Sequence, residues 1–180
     1  MIYIKSPQEV KIMQEGGKIT TEALKIAIAA VKPGVRTIDI DKVAFTAITS
    51  LGGEPSFMKV DGYKFTTCIN INSGLVHGLP NEYVIKSGDL VKVDIGTFLK
   101  GFHTDLSYTL EVETNKEEKF LTTGKAAINA GINAFLIGNR VGAISNALQV
   151  VIEGAGYTVS RELVGHGVGK ELHESPYVPG

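Results

Sequence analysis

Two aspartates in the stretch VKVDIGTFLKGFHTDLSYTL, residues 91–110, are the first candidates for chemistry. Apolar and polar residues alternate on both sides of a short turn, which predicts a β-hairpin. A two-residue turn at Leu99-Lys100 would place Asp94 directly opposite Asp105, and like charges in opposed positions destabilise a sheet. Either a divalent cation offsets the repulsion, or both carboxylates lie on a solvated face where salt screens them. The same register gathers the apolar side chains on the other face: Val91, Val93, Ile95, Phe102, Leu106, Tyr108 and Leu110.

The histidines add a possible imidazole ligand. The chain has four histidines, and His166 lies between glycines in GHGVGKELHE. Flanking glycines permit unusual backbone angles and the close approach of a ligand. Two carboxylates on one sheet face and a histidine in a glycine-rich turn suit a divalent cation; a structural or exposed histidine is the alternative. The same stretch is not a P-loop, because it lacks the four-residue spacer and the Lys-Ser/Thr pair.

Composition limits the class of protein. The 180 residues fit one domain, or a large part of one, and 43% are hydrophobic. A net charge of −1 implies no strong attraction to nucleic acid or to acidic membranes. No apolar run approaches the length of a membrane span, and the N-terminus lacks a signal-peptide pattern. The single cysteine, Cys68, excludes an internal disulfide, so we expect a cytoplasmic protein.

The first half of the chain reads as two helices followed by strands. Ser6-Pro7-Gln8-Glu9 combines an N-cap, a proline at the first helical position and a capping box, and Lys32-Pro33-Gly34 ends this helix. A second helix ends at Gly52-Gly53. Strands are predicted over 65–72 and 82–86, before the aspartate hairpin.

The second half repeats the pattern. A further capping box at 114–117 predicts a helix that runs to Gly138, and another helix is predicted near 142–154. KPGVRTIDI resembles GNRVGAISN, so we predict a duplicated helix–helix–sheet unit over about 1–112 and a partial copy over about 113–180; chance similarity is the alternative. The counterpart of the aspartate hairpin would fall near 200–211. We therefore expect residues 1–180 to be one catalytic domain that is truncated on its C-terminal side.

From Ile4 onward the chain resembles the type I methionine aminopeptidases. The motifs that carry the resemblance follow one another in the family's order: IKSPQEVKIMQEGGKI, VKPGVRTIDID, TTCININSGLVHGLP, GDLVKVDIGTFLKGFHTDLSYTL, GNRVG and GHGVGKELHESPYVP. The resemblance implies the α+β pita-bread fold, in which helix pairs related by a pseudo-twofold pack on a curved antiparallel sheet. The second half of that fold would be incomplete here.

The resemblance also implies a set of metal ligands. In the family two divalent ions share five protein ligands, and Asp94, Asp105 and His166 match three of them. Cobalt, manganese, iron and zinc all suit such ligands. The last two ligands are glutamates, which would fall beyond Gly180, so the 180 residues alone are expected to be inactive.

Further matches concern the substrate. His77 and His173 match histidines that contact the substrate and stabilise the tetrahedral intermediate, and Tyr63 and Cys68 match the wall of the methionine pocket. The implied reaction removes the N-terminal methionine from nascent polypeptides when the second residue is small. The expected partners are nascent chains, near the ribosome, with no direct nucleic-acid or membrane site and a monomeric complete protein.

Two departures and two alternatives remain. Val60 stands where some members carry tyrosine, and Leu172 where phenylalanine often precedes the second histidine.

A non-catalytic binding protein on the same scaffold is one alternative function. A proline-directed aminopeptidase or dipeptidase relative is the other.

Overall fold

The computed structural model describes residues 2–180, and the chain forms two compact units. The N-terminal unit consists of Ile4–Asn115 with Val168–Leu172, and the C-terminal unit of Lys116–Gly167 and His173–Gly180 with residues 2–3. The N-terminal unit contains α1 (Pro7–Ala29), α2 (Thr37–Ser50), β1 (Glu54–Pro55), β2 (Thr67–Ile71), β3 (Leu90–Leu99) and β4 (Phe102–Glu111). The C-terminal unit contains α3 (Glu118–Ala134), α4 (Val141–Gly154), β5 (Val164–Gly167) and β6 (Glu174–Pro179).

Helix α1 begins at the predicted capping box. The Glu9 amide donates to the Ser6 hydroxyl at 3.4 Å, and the Ser6 amide donates to the Glu9 carboxylate at 2.8 Å. These bonds satisfy two backbone donors that the first turn of a helix leaves without partners. Pro7 fits the first helical position because it has no amide hydrogen to satisfy.

Strand β3 is the centre of the N-terminal sheet. It pairs antiparallel with β4 along one edge, and with β1 and β2 at successive stretches of the other edge. Helices α1 and α2 pack on the apolar face of this sheet. The core is a cluster of buried side chains from both helices and from the sheet: Ala23, Leu24, Ala27, Val31, Ile40, Ala44, Ala47, Ile48, Ile69, Ile85, Val91, Val93, Ile95 and Val112.

The predicted register of the aspartate hairpin is wrong by two residues. The turn is at Lys100-Gly101, not at Leu99-Lys100, and Asp94 lies opposite Ser107. Lys100 and Gly101 have φ angles of 48° and 90°, the left-handed pair that a tight hairpin turn requires, and glycine supplies the second at no steric cost. The predicted separation of apolar and polar faces is nevertheless confirmed, because a shift of two residues preserves the alternation.

Two further predictions about elements are wrong. Residues 82–86 form no strand; only an isolated bridge joins Arg36 to Val84. The capping box at 114–117 does not form, since α3 begins at Glu118 without a side-chain cap, and the Thr114 hydroxyl donates instead to the Glu111 carboxylate. Helix α3 also ends at Ala134, four residues before the predicted stop.

The C-terminal unit is a helix pair with a two-stranded sheet. Helix α3 packs against α4, and Gly131 allows the close approach because a Cβ there would lie 3.1 Å from the Leu148 side chain. Strands β5 and β6 pair antiparallel, with an irregularity between His166 and Gly167. Within residues 2–180, no helix combines the length and the apolar character that a membrane span needs.

Candidate active site

The polar face of the N-terminal sheet gathers the predicted acidic residues. Asp94 on β3 and Asp105 on β4 point to the same side, as diagonal neighbours, because Gly96 is the residue opposite Asp105. Cys68 on β2 lies directly opposite Asp94, so its side chain projects from the same face. The register thus brings both carboxylates and the thiol together on the side of the sheet that faces away from α1 and α2.

The two carboxylates affect each other's protonation. Burial, and then the charge of the Asp105 carboxylate, raise the pKa of Asp94 to about 7, while Lys92 acts in the opposite direction. Two close carboxylates in a partly buried position are difficult to ionise together. A divalent cation would compensate both charges, so this pair fits the metal that the family resemblance implies.

An apolar cluster lies beside the carboxylates. Phe57, Cys68 and Leu172 are buried together, with Tyr63 packed against them. The Tyr63 hydroxyl donates to the Thr67 carbonyl at 2.8 Å and lies 3.1 Å from the Cys68 sulfur. Burial raises the pKa of both the thiol and the phenol, so the cluster stays uncharged at neutral pH. The structure therefore brings the predicted Tyr63 and Cys68 together in a small apolar wall.

A buried carboxylate fixes the backbone that precedes this wall. Asp41 on α2 accepts hydrogen bonds from the Thr66 amide at 2.9 Å and from the Thr67 amide and hydroxyl at 2.8 and 2.7 Å. Burial raises the pKa of Asp41, and these three bonds oppose that effect. Sequence reasoning missed Asp41, because nothing in the pattern of an amphipathic helix marks an inward carboxylate that is satisfied by a distant strand.

A buried histidine joins two segments that line the cluster. The His103 Nδ1 lies 2.7 Å from the Ser56 hydroxyl, and its amide donates to the Gly169 carbonyl at 2.7 Å. Ser56 precedes Phe57 of the cluster, and Gly169 lies three residues before Leu172. Nothing in the sequence pattern signals this buried partner of His103.

His77 lies in the loop between β2 and β3. Its side chain is exposed and its φ is 57°, a conformation that residues other than glycine seldom adopt. A minor electrostatic effect of His77 lowers the pKa of Asp94, which places the imidazole within electrostatic reach of that carboxylate. Strand β2 ends six residues earlier, at Ile71.

The other two predicted histidines lie in the C-terminal unit. His166 is on β5 rather than in a glycine-rich turn, so that expectation is wrong. Its ring lies 4.4 Å from the ring of His173, between centroids. The His166 Nδ1 donates to the Gly167 carbonyl at 3.0 Å, since a carbonyl only accepts, and the lone pair of the neutral ring is therefore on Nε2. A fixed tautomer of this kind is typical of histidines that bind metal.

The described residues do not by themselves assemble a complete metal site. Within residues 2–180, no three side chains of His, Cys, Asp or Glu come close enough together to hold an ion. The structure does bring the carboxylates of Asp94 and Asp105 to one face of the hairpin.

Comparison with protein families decides the class of the chain. Residues 11–180 match the model of metallopeptidase family M24. The chain belongs to this family. A family M24 member is a metal-dependent hydrolase, which agrees with two carboxylates that share one face of a sheet.

Relatives of this metallopeptidase extend the comparison. The chain is 39% identical over 184 residues to methionine aminopeptidase 1 of Bacillus subtilis, with 99% of this chain and 73% of that protein covered. The crystal structure of methionine aminopeptidase from Thermotoga maritima superposes with a TM-score of 0.93 at 34% identity, again over 99% and 73%. Prolidase from Pyrococcus furiosus superposes with a TM-score of 0.87 at 25% identity, over 98% of this chain and 52% of the prolidase. The expected pita-bread fold is thereby confirmed.

Proposed function

We propose that this M24 metallopeptidase removes the N-terminal methionine from nascent polypeptides and prefers a small second residue. The observation that carries the proposal is the apolar cluster of Phe57, Tyr63, Cys68 and Leu172 beside the carboxylates of the same unit. An apolar wall beside acidic ligands suits a methionine side chain whose peptide bond lies at the metal. Relatives named methionine aminopeptidase support this interpretation over a proline-directed peptidase or a non-catalytic protein.

We propose Asp94, Asp105 and His166 as metal ligands. The carboxylates supply negative charge, and His166 offers Nε2. Cobalt, manganese, iron and zinc all accept this donor set, and we propose two ions as the resident complement. Divalent metals in such sites polarise a carbonyl oxygen and supply a nucleophilic hydroxide near neutral pH.

The remaining residues of the proposal bind and orient the substrate. The Tyr63–Cys68 wall receives the methionine thioether, a soft and flexible group that suits a sulfur–aromatic contact. The imidazoles of His77 and His173 donate hydrogen bonds to the peptide carbonyl oxygen as charge develops there. Burial keeps Cys68 and Tyr63 protonated, so neither competes as a nucleophile.

The biological setting is part of the same proposal. The substrates are N-termini of nascent chains, which places the protein in the cytoplasm and near the ribosome. We propose that the complete protein acts as a monomer and needs no nucleic-acid or membrane site.

Metal binding and peptide cleavage test this function separately. Titration of the purified chain with Mn²⁺ in a calorimeter is expected to show binding that Asp105→Asn and His166→Ala weaken. Asp61→Asn, which removes an exposed carboxylate of the same unit, is the matched control. Cleavage is followed as release of methionine from Met-Gly-Met-Met by the full product of the gene. Metal binding without any cleavage, under each of the four metals, would favour the non-catalytic alternative.

A further inference from the structure

The backbone of His77 is held in an uncommon conformation. With φ at 57°, its backbone lies in the left-handed region, which costs a residue with a side chain of this size free energy unless neighbouring contacts enforce it. His77 makes no regular pairing that would do so, because it lies outside every strand and helix of the N-terminal unit. The contacts that enforce the conformation must therefore act on its neighbours.

Two hydrogen bonds fix the next residue, Gly78. Its amide donates to the Asn70 Oδ1 at 3.0 Å, and its carbonyl accepts from the Ile69 amide at 2.8 Å. The approach requires glycine, since a Cβ on Gly78 would lie 2.2 Å from the Ile69 carbonyl oxygen and 2.7 Å from the Asn70 Oδ1. Gly78 is thus fixed against β2 through both its amide and its carbonyl.

Asn70 has the burial and the orientation for this role. Its side chain is only 4% exposed and projects from the same face as Cys68, two residues along β2. The backbone amide of Gly78 can only donate, so the accepting atom must be Oδ1 and the rotamer is fixed. Its Nδ2 is buried and has no hydrogen-bond partner among residues 2–180. Burying an amide donor without a partner is costly, so the residue is not explained by stability alone.

We infer that Asn70 is a positioning residue for His77. Through Gly78 it holds the left-handed backbone that directs the His77 imidazole toward the carboxylate face. The inference rests on the proposed function only for the role of His77 beside the carboxylates. The hydrogen bonds of Gly78 to Ile69 and Asn70, called the clamp below, are a property of the N-terminal unit. Asn70 acts through His77, by way of its hydrogen bond from the Gly78 amide.

Nuclear magnetic resonance of the 180-residue chain tests the clamp directly. Asn70→Leu removes the acceptor at similar volume, and Asn70→Asp retains an oxygen in the same place. We expect the three-bond amide–Hα coupling of His77 to leave its left-handed value in Asn70→Leu, and the Gly78 amide to exchange roughly tenfold faster, as for one lost hydrogen bond. Both readouts are expected to stay near wild type in Asn70→Asp. Asn81→Ala is the control, because Asn81 also accepts from a backbone amide, that of Tyr83, at the far end of this loop.

A distance readout separates positioning from a merely structural role. Mn²⁺ is expected to broaden the imidazole signals of His77 in the wild type and less in Asn70→Leu, while its affinity changes little. If Mn²⁺ does not bind at all, the proposed metal site fails, but the coupling and the exchange rate still decide the role of Asn70. Unchanged coupling and exchange in Asn70→Leu would overturn the inference. Should that variant not fold, rapid exchange of the Gly78 amide in the wild type would overturn it equally.

Discussion

Asp94 and Asp105 are diagonal neighbours on one face of the β3–β4 hairpin, and Gly96 is the residue opposite Asp105. The diagonal matters because directly opposed carboxylates would repel most strongly, whereas diagonal Cα positions are typically about 7–8 Å apart and still let side chains meet. The position opposite Asp105 requires glycine, since a Cβ on Gly96 would lie 2.6 Å from the Thr104 carbonyl oxygen and 2.8 Å from the Ser56 Cβ. The hairpin therefore carries two carboxylates on one face without opposing them directly.

The first prediction concerns the repulsion between these carboxylates. Because each disfavours ionisation of the other, Asp94→Asn is expected to raise the melting temperature of the metal-free chain at neutral pH. When Mn²⁺ is added, the melting temperature of this variant should rise less than that of the wild type, since a metal ligand is lost. Differential scanning calorimetry with and without Mn²⁺ measures both effects, and Asp61→Asn is the control. Lower stability of the metal-free Asp94→Asn chain would contradict the prediction.

The second prediction concerns the turn. A Cβ added to Gly101, whose φ is 90°, would meet no atom of residues 2–180 within 4 Å, so Gly101→Ala introduces only backbone strain. We expect it to lower the free energy of unfolding by about 1–2 kcal/mol. Lys100→Asn should raise that free energy by a few tenths to about 1 kcal/mol, because asparagine tolerates the left-handed region.

Urea unfolding midpoints of the two turn variants measure this effect. Lys100 also pairs with Glu15 at 3.2 Å, so Glu15→Gln reports the separate contribution of that exposed ion pair. Equal midpoints for wild type and Gly101→Ala would place the turn elsewhere.

The hairpin also shows what the sequence can and cannot predict. Alternation specified which residues share a face, and a shift of two residues leaves that assignment unchanged, so Asp94 and Asp105 were correctly placed on one side. The turn position was not specified, because Leu99-Lys100 and Lys100-Gly101 both preserve the alternation. The φ preference of Gly101 was the available signal, and it decides for the observed turn.

Other features depended on contacts that no local pattern records. The capping box at 114–117 was wrong because Thr114 bonds Glu111, which precedes it, rather than the helix that follows. Asp41 and Asn70 could not be identified from spacing, since their partners lie 25 and 8 residues away and meet them only through the fold. Tyr63 and Cys68 are expected in a substrate pocket only from family resemblance, and the structure brings the two side chains together.

The third prediction is a dependence of stability on acid. Burial alone would raise the pKa of Asp89, but hydrogen bonds from the Lys86 amide, Asn72 and the Tyr83 hydroxyl lower it below the usual value. A folded-state pKa below the unfolded one gives stability that is present above roughly pH 4 and is lost as the pH falls through the folded-state value. Asp89→Asn should therefore be less stable than the wild type at pH 7 and should lose less stability on acidification.

Thermal unfolding between pH 7 and pH 2 measures this difference. Asp61→Asn serves again as the control, because Asp61 is an exposed carboxylate of the same unit. Parallel curves for the wild type and Asp89→Asn would show that Asp89 carries none of the acid sensitivity.

The fourth prediction uses the single thiol as a reporter of the apolar wall. Cys68 is 6% exposed and burial raises its pKa, so alkylation by iodoacetamide should be much slower than for an exposed cysteine. Leu172→Ala opens the cluster and should speed the reaction, whereas Leu75→Ala, at a side chain 64% exposed, should not. Mass spectrometry follows the modification. Equal rates in both variants would show that Leu172 does not cover the thiol.

The last prediction separates the activity of the family from that of these 180 residues. We expect the full product of the gene to release methionine from Met-Gly-Met-Met, and residues 1–180 alone to bind metal weakly and not to turn over. Asp94, Asp105 and His166 supply two carboxylates and an imidazole, and the two carboxylates compensate the charge of one dication. The chain spans 73% of the length of the Bacillus subtilis relative.

Proton transfer gives a second reason for the expected inactivity. The three proposed ligands would all be engaged by metal, and general acid–base help from a further group is typically worth about 10²–10⁴-fold. Methionine release is measured with Mn²⁺ and with Co²⁺, and Asp105→Asn in the full product is the inactive control. Sustained turnover by the isolated 180 residues would show that three ligands suffice and that no further carboxylate is needed for the reaction.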